Sequence, residues 1–359
     1  MQKLLTERPA ALAVPVYDIL NAGPRHRFVA NGKVIHNSNS INLQNLPSGR
    51  VKGQSNAARR SLIAPDNYLL VSGDSKQIET RVLAYVVGDE QALKDFAEGR
   101  DPYITMAASI FGTTYELLNS GLKSDDPEIA AAANLKRQIG KSARLGCGFQ
   151  LGPAGFVNYC KVISRVSITE EQSNEIVAQY RAANPLIVNF WAICKEVLSL
   201  LENGKKGYFG GMDGKLFYYD GMDMVADKRV PSIMMPDGMK LYYYNLEWVP
   251  SKKFVGNTMV YTSYRGKAAL KTGIYGGKLT ENLVQALAFA IMKWQGIRLH
   301  NKGFKLVSNT HDEFTTVVPE ELAFDKAEEM RAIMNTAPPW AKGLPLGSDV
   351  NYAKSYADC

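Results

Sequence analysis

The stretch Leu69-Leu70-Val71-Ser72-Gly73-Asp74-Ser75-Lys76-Gln77-Ile78-Glu79-Thr80-Arg81 constrains this chain most. Leu69 to Val71 is a short apolar run, which marks a buried strand. Gly73 is expected to loosen its end, Asp74 stands where the strand stops, and Gln77 to Val87 has a helical pattern. A strand end set in a core is a rigid mount, so a carboxylate there holds its ligand in a fixed place. The plainer alternative makes Asp74 an N-cap for the helix that follows. Far downstream, Val307-Ser308-Asn309-Thr310-His311-Asp312-Glu313-Phe314 is a second strand-like run with adjacent acids. If the two runs pair, Asp74 and Asp312 converge. Like charges that close need cations between them, and hard divalent cations take oxygen ligands.

With 359 residues, 46% of them hydrophobic and 21% charged, the chain has the apolar mass for a large core and two or more subdomains. A net charge of +7 favours polyanionic partners without requiring them. The four cysteines, Cys147, Cys160, Cys194 and Cys359, form no CxxC or Cys/His pairing, which argues against zinc and fits a reducing compartment. No apolar run reaches membrane-spanning length and no signal-peptide core opens the chain, so a cytoplasmic protein without a membrane partner is expected.

Residues 1–37 have a different texture. Val14 to Leu20 and Arg27 to Ala30 are strand-like, Asn31-Gly32 is a hairpin turn, and Lys33 to Ile35 is a third strand that ends in His36-Asn37-Ser38. Asn37 can attack its own carbonyl through its side-chain amide and cleave the chain after it. His36 can donate a proton to the departing amine, and Ser38 offers a hydroxyl nucleophile at the junction. The plain alternative is a small β appendage.

The middle of the chain is helical, with helices expected at Glu90–Glu98, Pro102–Phe111 and Tyr115–Asn119, and a pair over Thr169–Leu201 split at Asn184-Pro185. The most basic helix is Ala131 to Phe149, where Arg137, Lys141, Leu145 and Phe149 recur every four residues on one face. Gly140, Gly146 and Gly148 are poor helix residues and suggest close approach by something flat or bulky. Ser61 to Ile63 is strand-like after Arg59-Arg60. Gly204 to Pro250 carries short strands with a hairpin signal at Asp237-Gly238. A long helix over Lys278–His300, a strand-turn-strand hairpin over Phe304–Val318, and a helix over Asp325–Met334 complete the pattern, with a Pro-rich tail behind. Paired acids, a basic helix and an aromatic and an aliphatic group for a flat base suit phosphoryl transfer between oxygens.

Two resemblances sharpen this reading. Val16 to Ser38, with VYDI, FVANG and His36-Asn37-Ser38, resembles the C-terminal segment of an intein. From Ser38 to Cys359 the chain resembles family A DNA polymerases of the bacterial polymerase I and phage type. Asp74 to Arg81 resembles motif A, Arg137-x3-Lys141-x3-Leu145-Gly146-x2-Phe149 resembles motif B, and His311-Asp312-Glu313 resembles motif C. LQNLP at 43–47 and Tyr275-Gly276-Gly277-Lys278-Leu279-Thr280-Glu281-Asn282-x2-Gln285 resemble the phage branch.

The resemblance implies a set of roles. Asp74 and Asp312 would hold two Mg²⁺ ions. Glu79 would crowd the sugar 2′-carbon, and Arg137 and Lys141 would clamp the triphosphate, with Lys141 also a proton donor to pyrophosphate. Tyr103 would add a phosphate or sugar contact, Gln285 a minor-groove or template contact, and Arg81, His311 and Glu313 would lie near the primer end or substrate. Leu145 and Phe149 depart from the family, which usually places an aromatic residue and a tyrosine there. The tyrosine hydroxyl would normally bond the Glu79 equivalent.

The implied fold is α/β (α+β): a palm with an antiparallel sheet, helical fingers over roughly residues 90–200 within a polymerase part at 38–359, and a small all-β intein fragment at 1–37. The thumb and any exonuclease domain would lie upstream of Ser38. Implied partners are primer-template DNA, dNTPs and an N-terminal polymerase half carrying the intein N-fragment, in a phage-infected bacterial host. Assembly without splicing is one alternative, and a nonenzymatic DNA-binding relic is another.

Overall fold

A computed structural model describes residues 27–30, 33–36, 56–251, 256–265 and 268–359. Asn37, Ser38, LQNLP at 43–47 and the strand expected at Val14–Leu20 lie outside the described residues. Arg27–Ala30 and Lys33–His36 pair antiparallel with Arg27 opposite His36, which matches the hairpin read from Asn31-Gly32.

The chain divides into two compact units. One comprises Gln77–Ala290 and Pro339–Leu346. Its helices include α1 (Ile78–Val87), α2 (Pro102–Phe111), α3 (Pro127–Gly146) and α4 (Pro153–Tyr159). Asp101 starts α2 by accepting the Tyr103 and Ile104 N–H groups, with Pro102 at the first helical position. Asp126 and Pro127 start α3 in the same way. Glu170–Ala183 and Pro185–Glu202 break at Asn184-Pro185, where the sequence places the break. Lys206–Phe209, Phe217–Asp220, Ser232–Met234 and Lys240–Tyr242 form a four-stranded antiparallel sheet, and its last hairpin turns through Gly238 at φ +83°. Tyr244–Pro250, Asn257–Arg265 and Ala268–Ile274 form a three-stranded meander. The unit also holds the first part of α5 (Gly276–Asn301).

The other unit comprises Met1–Lys76, Ile291–Pro338 and Gly347–Cys359. Its sheet is antiparallel: β1 (Tyr68–Ser75), β2 (Leu306–Thr310), β3 (Glu313–Pro319) and β4 (Ser348–Ala353), in the order β2-β3-β1-β4. β1 lies inside the sheet and is buried from Leu70 through Gly73. The strand runs to Ser75, so Gly73 does not loosen its end. Instead Gly73 makes room for α6 (Ala323–Met334), because a Cβ there would sit 2.6 Å from the Met334 sulfur and 2.9 Å from that of Met330.

The strand expected at Ser61–Ile63 is absent. Ala57–Arg60 is a short helix whose carbonyls take the Ser61 and Leu62 N–H groups, and Ile63 makes a single bridge to Ser355. Among the described residues no single helix is long and apolar enough to cross a membrane.

Candidate active site

Asp74 is the second-last residue of β1 and is exposed. It does not cap α1. The N-cap position of that helix is Gln77, which is left-handed at φ 47° and makes no side-chain cap. Asp74 instead belongs to a row of acids. Its register partner is Glu313 on β3 and Asp349 on β4. Cross-strand partners point to the same face of a sheet. Asp312 occupies the turn between β2 and β3, and its carbonyl accepts the Ser75 N–H at 2.8 Å. The two acid-bearing runs therefore pair as the sequence suggests. His311, exposed in the same turn, takes a left-handed φ of 54° that closes it.

The acids differ in their surroundings. Burial pushes the Asp312 carboxyl above its ordinary value and neighbouring Glu313 adds to this, while a backbone N–H and His311 oppose it. Glu313 is anchored by Ser72 Oγ at 2.7 Å and Thr315 Oγ1 at 3.1 Å. It also takes a hydrogen bond from Tyr356, whose phenol is pushed up by burial first and by Glu313 next. Arg59 lies 4.8 Å from the centre of the Tyr356 ring. Asp349 pairs with Lys76 at 2.6 Å.

Ser72, Tyr356 and Asp349 escaped the sequence reading. Its signal for Asp349 was the alternation in Ser348-Asp349-Val350-Asn351, behind a tail read only as Pro-rich. Among the described residues no group of three or more His, Cys, Asp and Glu side chains forms a metal cage. A cage is not what Mg²⁺ would need, since that ion takes one or two carboxylates and completes its shell with water and substrate phosphates.

The helical unit gathers a different set. Arg137, Lys141, Leu145 and Phe149 are all half-buried, as one face of a helix requires. The α-helix ends at Gly146 rather than Phe149. Cys147–Phe149 tightens into a 3₁₀ turn, stopped by Gln150 at φ 68°. Arg137 reaches one oxygen of Asp101 through Nε at 2.9 Å and Nη2 at 2.7 Å. Its guanidinium lies 5.4 Å from the centre of the Tyr103 ring, and Lys141 Nζ lies 5.8 Å from the same centre. Tyr103, Arg137 and Lys141 are thus brought together. Glu79 is half-buried in the first turn of α1.

The helix glycines admit the chain's own neighbours. A Cβ at Gly140 would strike the Tyr103 carbonyl oxygen and lie 2.9 Å from Ala107 N, so α2 and α3 touch backbone to backbone there. A Cβ at Gly146 would meet Leu151 at 3.0 Å and the Tyr159 ring at 3.1 Å. At Gly148 it would meet Leu83 at 3.0 Å. The turn bearing Phe149 is pinned by Trp191 Nε1, which donates to the Gly148 carbonyl at 2.9 Å, and by Gly277 N–H, which donates to Gln150 Oε1 at 3.0 Å.

Comparison with known proteins gives the chain's relatives. The sequence model of DNA polymerase family A matches residues 29–200, starting inside the stretch read as intein. A DNA polymerase of Bacillus phage SP02 is 28% identical over 301 residues, 82% of this chain and 42% of the relative. The chain is thus similar to family A DNA polymerases, over residues 29–200 by the family model. The thermostable DNA polymerase I of Thermus thermophilus is 41% identical over 351 residues, 96% of this chain and 33% of the relative. The chain therefore spans roughly a third to two fifths of these relatives' length. A solved POL domain of Pol1 from M. smegmatis, in complex with DNA primer-template and dNTP, covers 89% of this chain and 45% of its own, with a TM-score of 0.54 and 18% identity. At that identity the likeness is one of fold, and it agrees with the expected mixed α/β architecture.

The remaining expected residues fall in contrasting places. Gln285 is exposed on α5. Arg81 is buried, donates through Nη1 to the Pro345 carbonyl at 2.9 Å, and lies 4.6 Å from the centre of the Phe96 ring. Burial lowers its pKa.

Proposed function

We propose that the chain is the palm and fingers of a DNA-directed DNA polymerase that extends a primer with dNTPs. The observation that carries this reading is the pairing of the two acid-bearing strands, with Asp74 opposite Glu313 and Asp312 in the adjoining turn. Asp74 and Asp312 would hold two Mg²⁺ ions. When bound, these supply activation of the primer 3′-hydroxyl and charge stabilisation of the leaving pyrophosphate.

The chain's own groups do the rest. Arg137 and Lys141 bind the triphosphate as cations beside Tyr103, and Lys141 carries a proton to the departing pyrophosphate. Arg137 must exchange its Asp101 partner for phosphate, a swap between two anionic acceptors. Glu79 fills the space that a ribose 2′-hydroxyl needs. Leu145 and Phe149 offer apolar surface to the base and sugar, and Gln285 contacts the duplex. His311 and Glu313 sit beside Asp312 toward the primer end, and Arg81 braces motif A from within.

His36-Asn37-Ser38, preceded by the Arg27–His36 hairpin, supports a second activity on the same chain. Residues 1–37 act as the C-terminal fragment of a split intein. A partner polypeptide carrying the N-terminal polymerase half becomes joined to Ser38. The site of action is the cytoplasm of a phage-infected bacterium.

The test is template-directed extension. The chain, mixed with that N-terminal half, a labelled primer-template and Mg²⁺, should add the dNTP complementary to the template base. Absence of addition, or addition indifferent to the template, would remove the polymerase reading.

A further inference from the structure

Positive charge is unevenly placed along this chain. Lys240 to Lys278 carries seven lysine and arginine residues and a single acid, Glu247, so this stretch holds six of the seven net positive charges of the whole protein. The same stretch is rich in tyrosine, and strand alternation sorts the rings. In Tyr242-Tyr243-Tyr244 the middle ring turns inward, is buried, and meets Tyr261 at 5.3 Å between ring centres, while Tyr242 and Tyr244 stay partly exposed. Tyr244 stands opposite Thr262 in the meander, where the register slips and the Asn245 side-chain amide donates to Thr262 Oγ1 at 3.0 Å. Tyr264 lies two residues beyond Thr262 on the same strand and so shares the face of Tyr244.

The outcome is a row of three rings. Tyr242 and Tyr244 are 6.2 Å apart between ring centres, and Tyr244 and Tyr264 are 5.8 Å apart, inclined at 43° and 86° rather than stacked on one another. Tyr264, at one end of the row, is 59% exposed. Cations flank the rings. Lys240 is two residues before Tyr242 on one strand and shares its face, and Lys271 is the register partner of Thr262. Lys240 pairs with Asp223 and Lys271 with Glu247, each at 2.7 Å. The second pair is exposed on both sides, so it contributes little and a phosphate can take the place of the glutamate. This row belongs to sheets other than the one that carries Asp74 and Glu313.

We infer that this face of the meander binds single-stranded DNA, with bases stacking on Tyr242, Tyr244 and Tyr264 and phosphates meeting Lys240 and Lys271. The choice of DNA rests on the polymerase reading above, and the choice of a single strand rests on the rings. An unpaired base offers its π-face to an aromatic side chain, whereas bases in a duplex cover theirs. A protein partner suits the surface less, since protein interfaces are depleted in lysine and six of the seven cations here are lysine.

Fluorescence anisotropy of the full chain with a labelled oligo(dT) of about 16 nucleotides tests this. Tyr264→Ala should weaken binding at least about fivefold, and Tyr264→Phe, which keeps the ring, less than about twofold. Tyr242→Ala should act as Tyr264→Ala does. A blunt duplex of the same length should bind all three variants within about twofold of the unaltered chain. Lys271→Gln should reduce the slope of log affinity on log salt by about 0.7.

Unchanged oligo(dT) binding in both alanine variants, or a loss in Tyr264→Phe equal to that in Tyr264→Ala, overturns the stacking role. Equal weakening of the duplex overturns the single-strand assignment. Tighter binding of oligo(U) than of oligo(dT), with the same dependence on Tyr264, overturns the choice of DNA. No catalytic step enters these measurements, so a failure here leaves the polymerase reading to its own test by template-directed extension.

Discussion

Glu313 stands opposite Asp74 across the ladder between β1 and β3, and Ser72, two residues back along β1, holds the Glu313 carboxylate with a 2.7 Å hydrogen bond. The motif C strand is thus fastened to the motif A strand by its side chains as well as its backbone. A hydrogen bond from a buried donor to a charged acceptor contributes more than a neutral one. Ser72→Ala should cost roughly 1.5–3 kcal/mol of unfolding free energy, read by urea denaturation. A cost below about 0.5 kcal/mol would mean that Glu313 is not anchored this way.

Gly140 sits in sequence between Arg137 and Lys141, the two cations proposed to bind the triphosphate, where α2 and α3 meet backbone to backbone. Its contacts are a carbonyl oxygen and an amide nitrogen, which cannot swing aside as a side-chain tip can. Gly140→Ala should destabilise the chain by about 1–3 kcal/mol despite alanine's better helix propensity. It should also separate Tyr103 from Lys141 and weaken nucleotide binding. A neutral or stabilising effect in denaturation would show that the helices do not touch there.

Asp312 has a pH signature. Its carboxyl is raised by burial, so the folded chain keeps this proton where the unfolded chain has released it. The associated stability is full below the ordinary carboxylate value and is lost as pH climbs through the folded value. Asp312→Asn removes that loss. In chelator-containing buffer its Tm should exceed that of the unaltered chain, with a larger gain at pH 8 than at pH 4. A gain equal at both pH values would dissociate the effect from ionisation.

Much of this arrangement was legible in the sequence. The runs around Asp74 and Asp312 announced a strand and a hairpin by apolar content, and the helix boundaries at Pro102, Asn184-Pro185 and Met334 came from capping and proline signals. What stayed hidden depends on contacts between distant segments. Gly73 is small because of methionines some 260 residues away, and Asp349 joins the acid row only through strand pairing at the chain's end. Neither leaves a local pattern. The 3₁₀ turn at Cys147–Phe149 was hidden for a related reason, since the four-residue spacing of Arg137 to Phe149 continues across it.

Splicing makes a separate prediction, because Asn37 alone can cyclise to release residues 1–37. With the partner half present, the unaltered chain should yield a joined polymerase and a free fragment on a denaturing gel. Asn37→Ala should block release, and Ser38→Ala should block joining. A joined product from Asn37→Ala would exclude the intein assignment.

The most direct measurement compares primer extension with primer-template binding for Asp74→Asn and Asp312→Asn in the assembled polymerase. Both carboxylates are assigned to metal rather than to DNA. Extension should therefore fall by on the order of a thousandfold or more, with the Kd for primer-template changed by less than about threefold. Extension near that of the unaltered protein from either variant would contradict the account.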